Sequence, residues 1–166
     1  MVYRRLVAED AAAWWAVRLE ALEREPLAFG MSPEEHRVST IDAARERIVE
    51  EGNFALGAFD GADLVGIARF VRERSAKERH KGHVYGVYLR ASHRGRGVAR
   101  EMMAALIGEA REEAGLEHLL LSAAVHNTAA RALYQAMGFV GYGIEPRALK
   151  VGDEYIGEEH MILRLR

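Results

Sequence analysis

Apolar and polar positions along the chain change their spacing several times, and each change marks a predicted element. Short apolar runs predict seven strands, and longer runs with apolar positions three or four residues apart predict four helices. The strands are predicted at residues 2–7, 54–59, 64–71, 84–89, 118–125, 140–151 and 155–165. The helices are predicted at residues 10–24, 41–51, 98–114 and 128–137, with irregular segments at 25–39 and 72–81.

A glycine-rich segment joins the fourth predicted strand to a helix. Gly95 and Gly97 allow backbone conformations closed to other residues, and they let a ligand approach the main chain closely. The first amides of the following helix have no intrahelical partner, and the helix dipole adds positive charge there. Arg94, Arg96 and Arg100 surround the turn, and guanidinium groups bind phosphate oxygens well. The segment therefore predicts an anion-binding site.

Three interpretations of this segment compete. A Walker A loop is excluded because the chain has no Gly-Lys dipeptide. A dinucleotide-binding fingerprint is met only in part, because Arg100 stands where the third glycine belongs. The third interpretation is a plain glycine-rich connection with solvated arginines.

A second segment, residues 125–139, follows the next predicted strand. Asn127 or Thr128 can cap a short helix that Gly138 ends. With both segments in this order, the sequence resembles the GNAT superfamily of acetyl-CoA-dependent N-acetyltransferases. Residues 94–99 resemble that family's (Gln/Arg)-x-x-Gly-x-(Gly/Ala) pyrophosphate loop. The family's second conserved segment is similar to the following residues of this chain: Val125-His126-Asn127, Ala130, Leu133-Tyr134 and Gly138-Phe139.

The resemblance implies a single α+β domain over residues 1–166. Its central sheet would be mixed and mostly antiparallel, with about seven strands flanked by four helices, and splayed between strands four and five. Acetyl-CoA would be the cosubstrate, with its pantetheine arm in the splay and its pyrophosphate on the glycine loop. The implied cofactor-binding residues are Val87, Tyr88, Leu89, Arg94, Gly95, Arg96, Gly97, Val98, Ala99, Arg100, Asn127, Ala130 and Tyr134.

The resemblance also suggests catalytic residues. Tyr134 matches a family tyrosine whose hydroxyl approaches the cofactor sulfur, where a phenol can protonate a thiolate; the alternative is a helix tyrosine packed for stability. Many members carry a glutamate on strand four as the base, and this strand has none. By strand alternation, His83 and Tyr85 share a face with Val87 and Leu89. His83 is the better base, and a water relay positioned by Tyr85 is the alternative.

Three glutamates are candidates for substrate binding. Glu158 lies in a segment similar to a Tyr-x-Asp-Glu-x-x-Met ending seen in many members, and Glu34 and Glu35 lie in a segment that often shapes the acceptor pocket. A carboxylate there would attract a cationic amine. The alternative is that all three are solvated surface residues.

Composition narrows the possible functions. The chain has no cysteine, which excludes disulfides, thiolate zinc sites and a cysteine acyl carrier, and we expect no metal. A net charge of −2 over 166 residues argues against nucleic acid as a partner. No long apolar stretch or signal sequence is evident, so we expect a soluble, cytoplasmic protein without a membrane partner. Exposed strand edges near the C-terminus make a homodimer reasonable.

The sequence thus predicts direct transfer of acetyl from acetyl-CoA to a primary amine of a small molecule or peptide. One alternative is a catalytically silent acyl-CoA-binding module that senses the cofactor or regulates a partner. Another is a nucleotide-binding domain. The presence of Tyr134 favours the enzyme, whereas the lack of a glutamate on the fourth strand leaves the silent module as an alternative.

Overall fold

A computed structural model describes residues 1–166, with one seven-stranded sheet in the order β1-β2-β3-β4-β5-β7-β6. Strands β4 and β5 pair in parallel, and the other neighbours pair antiparallel. The mixed, mostly antiparallel sheet predicted from the sequence is therefore confirmed. The strands are β1 (Val2–Arg5), β2 (Phe54–Asp60), β3 (Asp63–Arg72), β4 (Lys81–Leu89), β5 (His118–Ala124), β6 (Val140–Val151) and β7 (Glu154–Arg164).

Five α-helices accompany the sheet, one more than the sequence predicted. They are α1 (Ala11–Arg24), α2 (Pro33–Arg37), α3 (Ile41–Ile48), α4 (Val98–Arg111) and α5 (Thr128–Ala136). The additional helix is α2, within the segment predicted as irregular. The Ser32 hydroxyl accepts the Glu35 amide at 3.1 Å, and the Glu35 carboxylate accepts the Ser32 amide at 2.7 Å. This capping box, with Pro33 at the first helical position, starts the helix.

The helices cover both faces of the sheet with apolar side chains. On one face α4 contributes Met102 and Leu106, which are fully buried against strands β2 to β5. On the other face α1 contributes Trp14 and Val17, packed with α3 and with Ile67 of β3. Leu22 of the same helix is buried as well.

The C-terminal hairpin of β6 and β7 completes one edge of the sheet. Gly152 turns the chain between the two strands with a φ of 59°, a conformation that favours glycine. β6 has a strand neighbour on one side only, and its Val140, Tyr142 and Ile144 side chains are exposed. None of the helices combines the length and the apolar character needed to cross a membrane.

Candidate functional site

The sheet opens between β4 and β5, because the two strands pair over only three positions. Lys81, Gly82 and His83 pair with residues 118–120, and beyond that point β5 pairs with β7 alone. The rest of β4 therefore has no strand neighbour on its β5 side. This opening is the splay that the resemblance implied.

A β-bulge in β4 lies beside the opening. Tyr85 pairs with Arg69 and Tyr88 pairs with Ile67, so two β4 residues, Gly86 and Val87, lie opposite one β3 residue. Gly86 has a φ of 63°, in the left-handed region that other residues adopt only with strain. A bulge of this kind bends its strand and separates it from a neighbour.

The bulge also makes one sequence prediction wrong. Strict alternation placed His83, Tyr85, Val87 and Leu89 on one face of β4. In the structure Leu89 and Val87 pack with the α4 core, as Val84 does, so His83 and Tyr85 face the α1 side instead. The extra residue in the bulge shifts the alternation by one position.

A cavity of about 160 Å³ occupies the opening, and we call it the splay cavity. It brings together the bulge of β4, the end of β5, one face of α5, the middle of β7 and one side chain of α1. Of the residues predicted from the sequence, it is lined by Tyr85, Val87, Asn127, Ala130, Tyr134 and Glu158. It is also lined by Arg18, Phe29 and Gly86, which the sequence analysis did not identify.

Tyr134 is the most buried polar side chain of this cavity. It is 6% exposed and packs edge-on against Phe139, with ring centroids 6.0 Å apart. Burial raises the pKa of Tyr134 to about 12, and no hydrogen bond within the protein contributes to that shift. The phenol therefore stays protonated at neutral pH and retains its proton for a ligand in the cavity.

Asn127 joins the cavity to the start of α5. Its side-chain oxygen accepts the amide of Ala130 at 3.1 Å, which is the N-capping arrangement considered from the sequence. The cap fixes the side chain at the cavity wall, so capping and ligand contact are compatible roles.

The glycine loop leaves a run of backbone donors unused. Gly95 and Gly97 have φ of 73° and 79°, and a Cβ added at either would meet no atom within 4 Å. Gly97 begins α4 without a side-chain cap, and the amide of Glu101 is the first to bond back, to the Gly97 carbonyl at 3.0 Å. The amides of residues 95–100 have no backbone acceptor. The loop thus has the unpaired donors and the open approach of an anion site.

The three loop arginines differ in their availability. Arg94 donates to the Leu89 carbonyl at 2.9 Å and to the Glu25 carboxylate at 2.8 Å, so its guanidinium braces the end of β4. Arg96 and Arg100 are exposed and have no ion-pair partner within the protein. The side chains free to reach a phosphate are therefore those of Arg96 and Arg100. In the structure, the side chain of Arg94 has a bracing role.

His83, the base candidate, does not line the splay cavity. Its Nε2 lies 2.8 Å from a carboxylate oxygen of Glu73, and its ring stacks on Tyr85 with centroids 5.7 Å apart. Tyr85 does line the cavity, and burial raises the pKa of its hydroxyl. The stacked rings therefore connect the cavity wall at Tyr85 to the pair formed by His83 and Glu73.

The glutamates predicted for substrate binding separate into two groups. Glu158 lines the splay cavity and accepts a hydrogen bond from the Ser122 hydroxyl at 3.1 Å. Glu35 is engaged in the capping box of α2, and Glu34 pairs with Arg37 at 3.3 Å on the surface. The structure does not bring Glu34 or Glu35 to the cavity.

Arg18 is a site residue that the sequence analysis missed. Its Nη1 is buried and has no hydrogen-bond partner, and its guanidinium lies 4.7 Å from the centre of the Phe29 ring. Burial lowers the pKa of Arg18 to about 10, with the charge of Arg47 as the second cause. The sequence held a signal, because Arg18 lies four residues after Trp14 and four before Leu22, within the apolar stripe of α1.

Comparisons with known proteins agree with this geometry. An acetyltransferase of the GNAT family from Streptococcus pneumoniae has a similar fold, with a TM-score of 0.87, 21% sequence identity and 98% of each chain covered. A ribosomal-protein-alanine N-acetyltransferase from Brucella melitensis has a TM-score of 0.85, 24% identity and 99% of each chain covered. A Salmonella typhimurium protein, assigned as an acetyltransferase and solved with acetyl-CoA, has a TM-score of 0.86 and 24% identity, with 100% of this chain and 94% of that one covered. A search of curated proteins gives no match. A sequence model of the acetyltransferase (GNAT) family matches residues 14–139, which is more than half of the chain. The chain therefore belongs to the GNAT family of acetyltransferases.

Proposed function

We propose that this protein transfers an acetyl group directly from acetyl-CoA to a primary amine of a small molecule or peptide. One observation carries the proposal: the splay cavity lies beside residues 84–87 of β4, and the open donor loop at residues 95–100 follows the end of the same strand. Family membership and the Salmonella structure with acetyl-CoA support this cosubstrate.

The residues present fit such a molecule. The free amides of residues 95–100, with Arg96 and Arg100, would hold the pyrophosphate. The side chains of Tyr88 and Leu89 belong to the two cores, so these residues and Val87 would offer only main-chain groups to the pantetheine arm. The opening beside β5 leaves room for that arm along the unpaired edge of β4.

Bound acetyl-CoA supplies an activated acyl carbon, on which the amine nitrogen replaces the sulfur while one proton leaves the nitrogen and one reaches the sulfur. We assign the second proton to the Tyr134 hydroxyl, which lines the cavity and keeps its proton at neutral pH. Solvent returns a proton to Tyr134 after each cycle.

The first proton leaves on the Tyr85 side of the cavity. We assign it to water positioned by the Tyr85 hydroxyl, with His83 as the final acceptor behind the stacked ring. Glu73, at 2.8 Å from the His83 Nε2, would stabilise the imidazolium that forms. Glu158, which lines the same cavity, would attract the cationic amine, and the amine would give one proton to solvent before it attacks as the neutral form.

The test is thiol release from acetyl-CoA with a panel of primary amines, together with calorimetry of CoA binding. We expect CoA to bind and at least one amine to accelerate thiol release. Binding without release for any amine would support the silent acyl-CoA-binding module. Absence of binding to folded protein would refute the proposal altogether.

Two further expectations from the sequence remain predictions. A homodimer would use the β6 edge, where Val140, Tyr142 and Ile144 are exposed, and light scattering of the purified protein tests it. A cytoplasmic location is the second, and fractionation of the source cells tests it.

A further inference from the structure

A second cavity, of about 250 Å³, lies on the α1 side of the sheet and adjoins the splay cavity. Arg18, Tyr85 and Gly86 line both cavities, so the two spaces meet at the β4 bulge. We call the second space the arginine cavity because three guanidinium groups, from three different elements, line it. They belong to Arg18 of α1, Arg47 of α3 and Arg69 of β3.

The positive charge of the arginine cavity is only partly balanced. Arg69 donates to the Glu50 carboxylate at 2.9 Å, and that carboxylate also pairs with Arg74 outside the cavity. Arg18 has no ion pair, and neither does Arg47, which is exposed. Two of the three guanidinium groups thus lack a carboxylate within the protein.

The other titratable groups around the cavity add no negative charge. His36 is 1% exposed, its Nε2 is 3.0 Å from the Trp15 carbonyl oxygen, and burial keeps its pKa below the usual value, so the ring is neutral. Burial and the nearby Glu73 raise the pKa of Tyr85, so its phenol is neutral as well. Glu73 itself is engaged with His83.

Arg18 is held at the junction at a cost. Burying a donor of a charged group without an acceptor is unfavourable, and the contact with Phe29 offers no acceptor for Nη1. Nη1 stands close to the bulge, since a Cβ on Gly86 would lie 3.1 Å from it. The bulge glycine thus leaves room for the guanidinium at the junction of the two cavities.

We propose that Arg18, supported by Arg47 and Arg69, binds a carboxylate group of the acceptor, so that the acceptors of this enzyme are small amines that also carry a carboxylate. A carboxylate has two oxygens in one plane, which match the paired donors of a guanidinium. With its carboxylate on Arg18, such a molecule extends its amine past Gly86 into the splay cavity, toward Tyr134. A cavity of about 250 Å³ suits a free amino acid rather than a protein segment.

This inference rests on the proposed function, and its test separates the two. Wild-type protein is assayed for thiol release with the common L-amino acids, β-alanine and γ-aminobutyrate, each beside its carboxamide. We expect at least one acid to be acetylated, with kcat/KM at least tenfold above that of its carboxamide. CoA affinity is measured by calorimetry on the same material.

Arg18→Met tests the residue itself. We expect it to lower kcat/KM for the preferred acid by roughly 10- to 100-fold, mainly through KM, because a charged hydrogen bond is lost. The loss in kcat/KM for the carboxamide should be at least about fivefold smaller than that for the acid, and the CoA affinity should change less than about twofold. Arg47→Gln should give a smaller loss in the same direction. The matched control is Arg45→Gln, on the same helix but paired with Asp42, which should behave as wild type.

A readout without turnover accompanies the kinetics. The preferred acid should raise the melting temperature of the wild-type CoA complex, and should not raise that of Arg18→Met. Equal rates for acids and carboxamides, equal losses for both in Arg18→Met, or CoA binding with no acid acetylated would each overturn the inference. Failure of CoA to bind would instead refute the proposed function, and this inference would fail with it.

Discussion

Replacing Tyr134 by phenylalanine tests the chemistry most directly, because the change removes one oxygen and leaves the ring. The residue is 6% exposed and lines the splay cavity, and its hydroxyl makes no hydrogen bond within the protein. Losing a hydroxyl that faces the cavity and makes no hydrogen bond within the protein should therefore change the free energy of unfolding by no more than about 0.5 kcal/mol. Contact between the ring and Phe139 is kept.

The expected kinetic effect is much larger than the effect on stability. A positioned general acid contributes roughly 10²- to 10⁴-fold to a rate, or about 3–5 kcal/mol of barrier. With a pKa of about 12, only about one Tyr134 hydroxyl in 10⁵ is ionised at pH 7. Because the pKa is raised, the acid form is lost only as pH rises through about 12, and the rate should not fall between pH 7 and 10 on account of this group.

The assay is thiol release with the preferred amine from pH 6 to 10, with CoA affinity measured separately. We expect Tyr134→Phe to lower kcat by at least about 100-fold while the CoA affinity and melting temperature stay at wild-type values. Tyr142→Phe, at an exposed tyrosine of β6, is the matched control and should have no effect. Normal turnover in Tyr134→Phe, or a fall in kcat matched by an equal loss of CoA affinity, would refute the assignment of Tyr134 as the acid.

Three further predictions concern other parts of the molecule. Arg96→Ala should weaken CoA binding by roughly tenfold in calorimetry, and that loss should be smaller at high salt. Arg94→Ala should mainly lower the melting temperature, because the Arg94 side chain bonds to the end of β4 and to Glu25. The opposite pattern would contradict these separate roles. Gly86→Ala should lose about 1–3 kcal/mol of stability in urea titrations, since φ is 63° and the new Cβ would lie 3.1 Å from Arg18; an unchanged midpoint would argue against strain at the bulge. Burial lowers the pKa of His36, so the unfolded chain binds a proton before the folded chain does as pH falls below about 6.5. The free energy of unfolding should therefore decrease from pH 7 to 5, by at most about 1.4 kcal/mol per pH unit from this site. His36→Gln should reduce that slope.

Features that depend on neighbouring residues in the chain were predictable from the sequence. The glycine loop is one example, because the positive φ of Gly95 and Gly97 and the unpaired amides of a helix start follow from local geometry. The Asn127 cap of α5 is another, and the structure confirms it. Helix α2 was missed although Ser32 to Glu35 carries a complete capping-box pattern.

Features that depend on distant partners were not predictable. The face of Tyr85 depends on the register of β4 against β3, and the bulge that shifts the register is visible only when both strands are placed. A glycine inside a strand suggests a bulge without locating it. The pairing of Arg94 with Glu25 joins residues 69 positions apart, so nothing near Arg94 showed that its guanidinium was already engaged.

Several polar groups around β4 have no partner within the protein, and their location is an argument for the site. Helices α2, α3 and α5 begin with side-chain caps, whereas α4 begins at Gly97 without one. The Arg18 Nη1 is buried without a partner, and the Tyr134 hydroxyl makes no hydrogen bond within the protein. Folding alone gives no reason for these three groups to remain unpaired, and a buried one such as Nη1 costs free energy. Their shared location follows if ligands complete them: phosphate at the loop, a sulfur beside the phenol and a carboxylate on the arginine.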